Sequence, residues 1–280
     1  MVRDLKKKML LLGDGAVGKT SLVRRFVLDE FEDRYITTIG AKITKKDINF
    51  KVGGEPMKLS LMLWDVLGQQ GYSNIQKASL SGADAALIVC DVTRAATLKS
   101  LHDYWVPKVK EVAGDIPLII LANKADLTKR ELGAQELFET ASELNSVFFF
   151  TSAKTGMNVN LAFYKIAYAV VKKFEEGHDV SGVNEEEYMP QIEEKEHYTA
   201  MEVADMIMTD FCAGDEIVGI DGTMEIIVPQ FQRAGVDIKR PSKSGLKKVV
   251  ENLYEMEMLM KEDADETKEK RLSWVERIVE

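Results

Sequence analysis

The sequence has few of the features that mark secreted, membrane-spanning or disulfide-rich proteins. Its 280 residues include only two cysteines, too few for a disulfide framework and typical of a reducing compartment. The longest apolar runs, such as residues 85–90, are far shorter than the ~20 residues that span a bilayer. The apolar stretch at residues 9–12 follows three lysines but is too brief for a signal peptide. We therefore expect a soluble, cytoplasmic protein.

Net basic charge is also absent. The chain carries 37 basic and 46 acidic side chains, a formal net charge of -9, which argues against nonspecific binding to nucleic acid. Residues 176–196 alone hold eight acidic residues and one lysine, and this charge run predicts an acidic linker. Val2 excludes N-myristoylation and the last residues lack a prenylatable cysteine, so we expect no lipid anchor and no stable membrane attachment.

Hydrophobic patterning predicts an α/β fold for residues 1–175. Short apolar strands alternate with helical segments, which is the pattern of a mainly parallel sheet covered by helices on both faces. We predict a six-stranded sheet with strands at residues 5–12, 42–52, 58–64, 85–91, 118–122 and 147–151. We predict helices near residues 19–28, 95–112, 131–144 and 157–175. The second and third strands form an antiparallel hairpin through Gly53-Gly54.

The sequence pattern of residues 197–280, beyond the linker, predicts a small α+β domain. Thr199 and Glu202 fit a capping box at the start of a helix. Residues 217–228 are predicted to form two strands joined at Asp221-Gly222, a hairpin signal. A further amphipathic helix is expected to start at Ser242. We therefore predict a helix–hairpin–helix unit that serves as a regulatory or partner-binding module, with self-association as the alternative role.

A phosphate-binding motif lies between the first strand and the first helix. Residues 13–20 match G-x-x-x-x-G-K-[ST] in the strand–loop–helix context that this pattern requires. Glycines let backbone N–H groups turn toward phosphates, and the following helix N-terminus favours negative charge. Lys19 is predicted to reach the β- and γ-phosphates, and the Thr20 hydroxyl to ligate magnesium. This motif indicates a nucleotide without specifying its base.

Three further motifs each follow a predicted strand. Residues 65–68 begin with an aspartate suited to magnesium, residues 123–126 follow the strand at 118–122, and residues 151–154 come at the end of the strand at 147–151. The Asp126 carboxylate can accept two hydrogen bonds from the ring N–H and the amine of guanine, which adenine cannot supply. A backbone N–H in residues 151–154 can donate to the guanine carbonyl oxygen. Because ligands bind such sheets at the carboxyl ends of the strands, the four motifs together predict a GTP site.

Residues 5–175 resemble the Ras superfamily of small GTPases, closest to the Rab branch. The resemblance includes residues 35–40, similar to the first switch of Rab proteins, and residues 64–69, similar to the second. It implies that Thr38 binds magnesium and senses the γ-phosphate, and that Gln69 orients the attacking water. It also implies GTPase-activating, exchange and effector proteins as partners.

The predicted site combines the residues derived from the motifs with those implied by the resemblance. The resemblance adds Phe31, which packs against guanine, and Gly68, whose N–H contacts the γ-phosphate. The catalytic set is Lys19, Thr38 and Gln69, and the magnesium ligands are Thr20, Thr38 and Asp65. The nucleotide-binding set is Gly13, Asp14, Gly15, Ala16, Val17, Gly18, Lys19, Thr20, Ser21, Phe31, Thr38, Gly68, Asn123, Lys124, Asp126, Ser152, Ala153 and Lys154.

The function predicted from these residues is a GTP-hydrolysing molecular switch with Mg²⁺ as cofactor. Hydrolysis releases the switch segments, and a partner supplies an arginine to an otherwise slow reaction. Arg34 is predicted to be a solvated loop charge rather than an arginine acting in cis. The alternative is a non-hydrolysing, GTP-dependent scaffold or oligomerisation protein in which residues 197–280 do the binding. The presence of Gln69 and Thr38 favours the switch.

Overall fold

The computed structural model describes residues 3–31, 41–66, 78–176, 178–182, 196–213, 226–227, 229–237, 240–259 and 263–279. The chain divides into two compact units. The first comprises Met1–Leu132 and Phe148–Pro190, and the second comprises Gly133–Val147 and Gln191–Glu280. A stretch inside the predicted 1–175 domain thus groups with the C-terminal residues. The predicted domain boundaries at 175 and 197 stay a prediction.

The first unit is built on a seven-stranded sheet with the strand order β6-β5-β4-β1-β3-β2-β7. The strands are β1 (Arg3–Leu12), β2 (Ala41–Val52), β3 (Glu55–Val66), β4 (Ala85–Asp91), β5 (Leu118–Asn123), β6 (Val147–Phe150) and β7 (Val180–Gly182). β1 pairs in parallel with β3 and β4, and β4 pairs in parallel with β5. β2 pairs antiparallel with β3. The α/β fold class and all six predicted strands are confirmed.

Burial explains why the central strands form. All seven residues of β4 are buried, and Leu10, Leu11 and Leu12 of β1 are 0% exposed. Parallel strands covered on both faces carry continuous apolar runs, and β4 and the last four residues of β1 have that pattern. The loops that leave the carboxyl ends of β1 and β4 therefore start from a closely packed core.

Within the described residues, the four predicted helical segments are all helical, and the segment at 95–112 is divided into two α-helices. The helices are α1 (Lys19–Leu28), α2 (Ala95–Ser100), α3 (Val106–Ala113), α4 (Ala134–Leu144) and α5 (Val159–Phe174). The segment predicted as one helix at 95–112 contains a π-helical turn over Leu101–Trp105, where the Val106 N–H donates to the Leu101 carbonyl. Pro107 has no N–H to donate to the carbonyl four residues earlier, which disfavours a regular α-helix at this point.

The seventh strand lies in the segment predicted as an acidic linker. β7 pairs antiparallel with the end of β2, with Val180 opposite Val52. Before it, the Glu175 carboxylate forms an ion pair with Arg3 at 2.6 Å. Sequence patterning missed β7 because a three-residue edge strand is too short to show an alternation.

The described part of the second unit consists mainly of helices. Besides α4 they are α6 (Ala200–Ala213), α7 (Lys243–Glu257) and α8 (Ala264–Glu276). Their buried faces include Val203, Ile207, Leu246, Val250 and Val275, each at most 1% exposed. Phe138 of α4 and Phe231 lie with ring centroids 6.0 Å apart. α4 therefore shares an apolar contact with the C-terminal residues of its unit.

The predicted β-hairpin is wrong where the structure describes it. Residues 226–227 and 229–233 are helical, not extended. Ile227 and Phe231 are both 0% exposed and four residues apart, the spacing that buries one helix face. A short β-branched run cannot be distinguished from a buried helix by periodicity alone. Asp221-Gly222 lies outside the described residues.

Two predicted helix starts are confirmed. The Thr199 Oγ1 accepts a hydrogen bond from the Glu202 N–H at 3.2 Å, and the Glu202 carboxylate accepts one from the Thr199 N–H at 2.8 Å. At the start of α7, the Ser242 hydroxyl accepts from the Gly245 N–H at 3.2 Å. These contacts satisfy N–H groups that would otherwise have no intrahelical partner.

A buried ion network joins three helices of the second unit. Arg271 on α8 is 1% exposed and donates to Asp210 on α6 and to both carboxylate oxygens of Glu257 on α7, at 2.7–3.1 Å. Burial opposes the charge of Arg271, but the two carboxylates outweigh it and raise the pKa of the guanidinium. The network therefore keeps its charges inside an otherwise apolar core.

Across the described part of the chain, every helix is too short or too polar to cross a bilayer.

Candidate nucleotide-binding site

The described residues of the predicted motifs lie at or just after the ends of β1, β3, β5 and β6. The glycine-rich loop begins at Gly13, directly after β1, and leads into α1 at Lys19. Asp65 lies at the end of β3, and Asn123 ends β5. These positions are at the carboxyl ends of strands, where open α/β sheets bind their ligands. The structure thus brings the described members of all four motifs to one edge of the sheet.

Two glycines of the loop are required by close contacts. Gly13 has a φ of +135°, and a Cβ built there would lie 2.1 Å from the Val89 carbonyl oxygen. Gly18 has a φ of +102°, and its Cβ would lie 2.3 Å from the side-chain nitrogen of Asn123. Only glycine adopts these conformations and leaves this space empty. The loop therefore has the tightly turned, glycine-dependent backbone that is expected of a phosphate-binding loop.

Lys19 is held across the loop that it follows. Its Nζ donates to the carbonyl oxygens of Gly13 and Asp14, each at 2.8 Å, and the residue is 7% exposed. Burial lowers the pKa of Lys19 to about 8, while the Asp65 and Asp14 carboxylates partly oppose the shift. An ammonium group that is costly to bury alone is well suited to bind an anion that enters the loop.

Two of the predicted magnesium ligands are in direct contact. The Thr20 hydroxyl donates to Oδ2 of Asp65, and Asp65 is 1% exposed. A hydroxyl and a carboxylate oxygen are the hard ligands that Mg²⁺ takes, usually together with phosphates and water. The residues present therefore fit this ion. Thr38, the third predicted ligand, lies outside the described residues.

Asn123 connects three parts of the site. Its Nδ2 donates to the Val17 carbonyl at 2.8 Å, and its Oδ1 accepts from the Ala153 N–H at 3.2 Å. Asn123 is 1% exposed. The side chain thus holds the phosphate loop and the segment after β6 in a fixed spacing, and we assign it a structural part in the site.

Lys124 and Asp126 flank the predicted base position. Lys124 has a φ of +66°, and its Nζ contacts Oδ2 of Asp91 at 2.6 Å. Asp126 is exposed and accepts a hydrogen bond from the Ser152 hydroxyl at 2.6 Å through Oδ1. The buried Ser152 orients a carboxylate that otherwise faces solvent, where it can meet a ligand.

The remaining predicted residues divide between described and undescribed segments. Ser21 lies in the first turn of α1, and Phe31 is half-buried just after that helix. Ala153 is buried and Lys154 is exposed. Gly68 and Gln69, like Thr38, lie outside the described residues, so their predicted roles stay predictions.

Four residues of the site were missed by the sequence analysis. Asp91 is buried at the end of β4 and binds both Lys124 and Arg94, and Arg94 also donates to the Gly15 carbonyl at 3.0 Å. Burial opposes the charge of Asp91, but hydrogen bonds from Lys124 and neighbouring Thr93 outweigh it and lower its pKa.

The other two missed residues support the loop and base segments from helices. Arg25 on α1 donates to the carbonyls of Ala153 and Lys154 at 2.9 and 2.7 Å. Trp105 donates from its indole nitrogen to Oδ1 of Asp14 at 2.9 Å. The position of Asp91 at the end of a buried strand was a usable signal, whereas the other three depend on tertiary contacts with no local pattern.

Comparison with known proteins points to one family. Residues 8–172 match the model of the Ras family. The Ras-related protein Rab-2B of Dictyostelium discoideum is 35% identical over 169 residues, which cover 60% of this chain and 82% of that protein. The GTP-binding protein ypt5 of Schizosaccharomyces pombe is 38% identical over 169 residues, covering 59% and 78%. The Ras-related protein SEC4 of Saccharomyces cerevisiae is 38% identical over 175 residues, covering 61% and 78%.

Proposed function

Because this chain belongs to the Ras family, whose members bind and hydrolyse GTP, we propose that it is a magnesium-dependent, GTP-hydrolysing molecular switch. The observation that carries this proposal is the convergence of Lys19, the Thr20–Asp65 pair and Asp126 at one edge of the sheet. These groups suit phosphate, metal and base in turn. The second unit is proposed to be a regulatory or interaction module.

Asp126 is proposed to select the base. Its carboxylate can accept hydrogen bonds from the ring N–H and the exocyclic amine of guanine, and adenine lacks both donors in this arrangement. The hydrogen bond from Ser152 engages one carboxylate oxygen of this exposed residue and limits rotation of the side chain. A site built to hydrogen-bond a ligand rejects an analogue that leaves its polar groups unpaired.

Lys19 and the loop amides are proposed to bind the phosphates. The Nζ of Lys19 exchanges its two carbonyl partners for phosphate oxygens, which are stronger acceptors for an ammonium group. Thr20, Asp65 and Thr38 would hold magnesium, which when bound would supply positive charge that offsets the charge on the β- and γ-phosphates. Gln69 orients the attacking water, and the Gly68 N–H contacts the γ-phosphate.

The reaction without a partner is proposed to be slow, on the order of 10⁻⁴ to 10⁻² per second. The family mechanism stabilises transition-state charge with an arginine, and this supports a role for a GTPase-activating partner beside exchange and effector proteins. Release of phosphate frees the two switch segments and changes the surface that partners bind. The proposed function of the site is thus to cycle the protein between a GTP-bound and a GDP-bound state.

The test is GTP hydrolysis measured by phosphate release in the full chain and in Gln69→Leu. We expect GTP binding in both proteins and about a hundredfold slower hydrolysis in the variant, because the water loses its orientation. Gln70→Leu is the matched control, one position along the same segment, and it should hydrolyse GTP at the parent rate. Equal hydrolysis by parent and Gln69→Leu would contradict the proposed mechanism. Binding of GTP without any hydrolysis by the parent would favour the scaffold alternative.

A further inference from the structure

A buried tryptophan contacts the phosphate loop from a helix far away in sequence. Trp105 ends the π-helical turn and is 1% exposed. Its indole N–H donates to Oδ1 of Asp14, 91 positions earlier, at 2.9 Å. Both residues belong to the first unit. None of the motifs that define the candidate site includes Trp105, so its contact requires a separate explanation.

The acceptor of the indole N–H indicates that Trp105 does more than fill space in the core. A buried tryptophan needs an acceptor for its N–H group, and a backbone carbonyl of its own helix region would serve that need. Here the acceptor is instead a carboxylate in the phosphate loop, and hydrogen bonds to charged groups are stronger than those between neutral ones. The contact therefore fixes the side chain of Asp14 as well as satisfying the indole.

Asp14 carries this constraint to the residue that binds phosphate. Its carbonyl oxygen accepts a hydrogen bond from the Nζ of Lys19 at 2.8 Å, and its carboxylate favours the charged form of Lys19. The next carbonyl, that of Gly15, accepts from Arg94 at 3.0 Å. Two consecutive residues of the loop are thus held from outside it, one by Trp105 and one by Arg94.

The π-helical turn sets the direction of the indole. Within it the Val106 N–H bonds to the carbonyl five residues earlier, so the turn contains one residue more than an α-helical turn. Each residue of an α-helix rotates the side-chain direction by about 100°. Without the extra residue, a side chain at position 105 would point to a different side of the helix. Turns of this kind occur frequently at functional sites.

We propose that Trp105 is a positioning residue for nucleotide binding. It acts through Asp14 to hold the phosphate loop in its binding conformation before the nucleotide arrives. A loop that is already ordered does not lose conformational freedom on binding, so the bound state is favoured. The inference rests on the proposed function, because it assumes that the ligand is a guanine nucleotide. It adds a residue outside the motifs to the determinants of affinity.

The test is a double-mutant cycle on GDP affinity, with Trp105→Phe, Asp14→Ala and the double variant in the full chain. Phenylalanine keeps most of the buried ring but has no N–H. We expect each single variant to weaken GDP binding about tenfold, mainly through faster dissociation. The double variant should bind no more weakly than the weaker single variant, because both changes remove the same hydrogen bond. Asp14→Asn, which keeps an acceptor oxygen, should recover most of the affinity lost in Asp14→Ala.

Trp274→Phe is the matched control for the loss of an indole. Trp274 is also buried, at 4% exposed, but it lies in the second unit, and its variant should release GDP at the parent rate. GDP binding by Trp105→Phe at parent affinity would overturn the inference, and so would strictly additive losses in the cycle. If the parent itself does not bind GDP, the proposed function fails instead, so the two failures are distinguishable. If Trp105→Phe does not fold, the comparison of Asp14→Ala with Asp14→Asn keeps the test decisive, because equal GDP affinity of these two variants would also overturn the inference.

Discussion

The two units of this chain both bury charged side chains, but they use them differently. In the first unit, Lys19 is held by two backbone carbonyls, which a stronger acceptor can replace. In the second unit, Arg271 is held by the Asp210 and Glu257 carboxylates at 2.7–3.1 Å. The first arrangement suits an incoming anion, whereas the second has its counter-charges built in.

This difference shows that a buried charge does not by itself indicate a functional site. Burial opposes the charged form of both Lys19 and Arg271, yet the pKa of Lys19 is lowered and that of Arg271 is raised. The opposite outcomes follow from the partners, because carboxylates compensate a buried cation better than carbonyl groups do. We therefore assign the Lys19 cluster to binding and the Arg271 network to the packing of three helices.

The largest expected effect concerns the Arg271 network. Arg271→Met removes the shared cation and leaves Asp210 and Glu257 buried without it, which we expect to lower the free energy of unfolding of the second unit by about 3–5 kcal/mol. Hydrogen exchange of the backbone amides of α7 and α8 measures this loss. GDP affinity should stay at the parent value if the network is structural only.

Lys270 provides the control for this prediction. It also contacts Asp210, at 2.5 Å, but its side chain is about half exposed. Lys270→Met should therefore cost less than about 1 kcal/mol. Equal stability of the two variants, or weaker GDP binding by Arg271→Met, would contradict this assignment. The Arg271 network could then not be called structural in contrast to the Lys19 cluster.

A smaller effect tests whether α4 belongs energetically to the second unit. Phe138 and Phe231 form a tilted ring pair at 6.0 Å, and aromatic pairs are worth about 0.5–1.5 kcal/mol beyond the area they bury. A double-mutant cycle of Phe138→Leu and Phe231→Leu on unfolding free energy should give a coupling of this size. A coupling below about 0.3 kcal/mol would mean that α4 and the C-terminal residues are independent.

The smallest expected effect concerns the protonation of Lys19. Its pKa is about 8 in the protein without nucleotide, and bound phosphates raise it because they favour the ammonium form. Binding above pH 8 therefore takes up a proton, so affinity falls as pH rises. Between pH 7 and pH 8.5 we expect the dissociation constant for GDP to increase about fourfold.

Lys19→Arg is the control for the pH dependence. A guanidinium stays protonated over this range. The GDP affinity of Lys19→Arg, although lower than that of the parent, should therefore not change with pH because of residue 19. The same rise of the dissociation constant in the parent and in Lys19→Arg would show that another group titrates.

The sequence was most informative where a single local motif determines the geometry. Gly13 and Gly18 were predictable as a phosphate loop, and both have the positive φ that such a loop requires. Asp65 and Asn123 were predictable because each ends an apolar strand. In these cases a residue's neighbours in sequence determine which edge of the sheet it reaches.

The sequence was least informative where position depends on contacts between distant residues. Trp105 was not predicted because its partner lies 91 positions away, and the π-helical turn that directs it has no reliable local pattern. The helical conformation of residues 226–227 was also missed, because isoleucines fit a strand as well as a buried helix and tertiary packing decides between them.

The central claim, that the site binds guanine nucleotides, is tested most directly by measuring GTP and xanthosine triphosphate binding to the parent and to Asp126→Asn. We expect that the parent prefers GTP and that the variant binds GTP about a thousandfold more weakly, since polar groups left unpaired in the bound complex cost several kcal/mol. We also expect the variant to prefer xanthosine triphosphate, whose additional carbonyl matches the new amide donor. Asp115→Asn, an exposed carboxylate away from the motifs, should leave both affinities unchanged. Equal GTP affinity of the parent and Asp126→Asn would show that Asp126 does not select guanine.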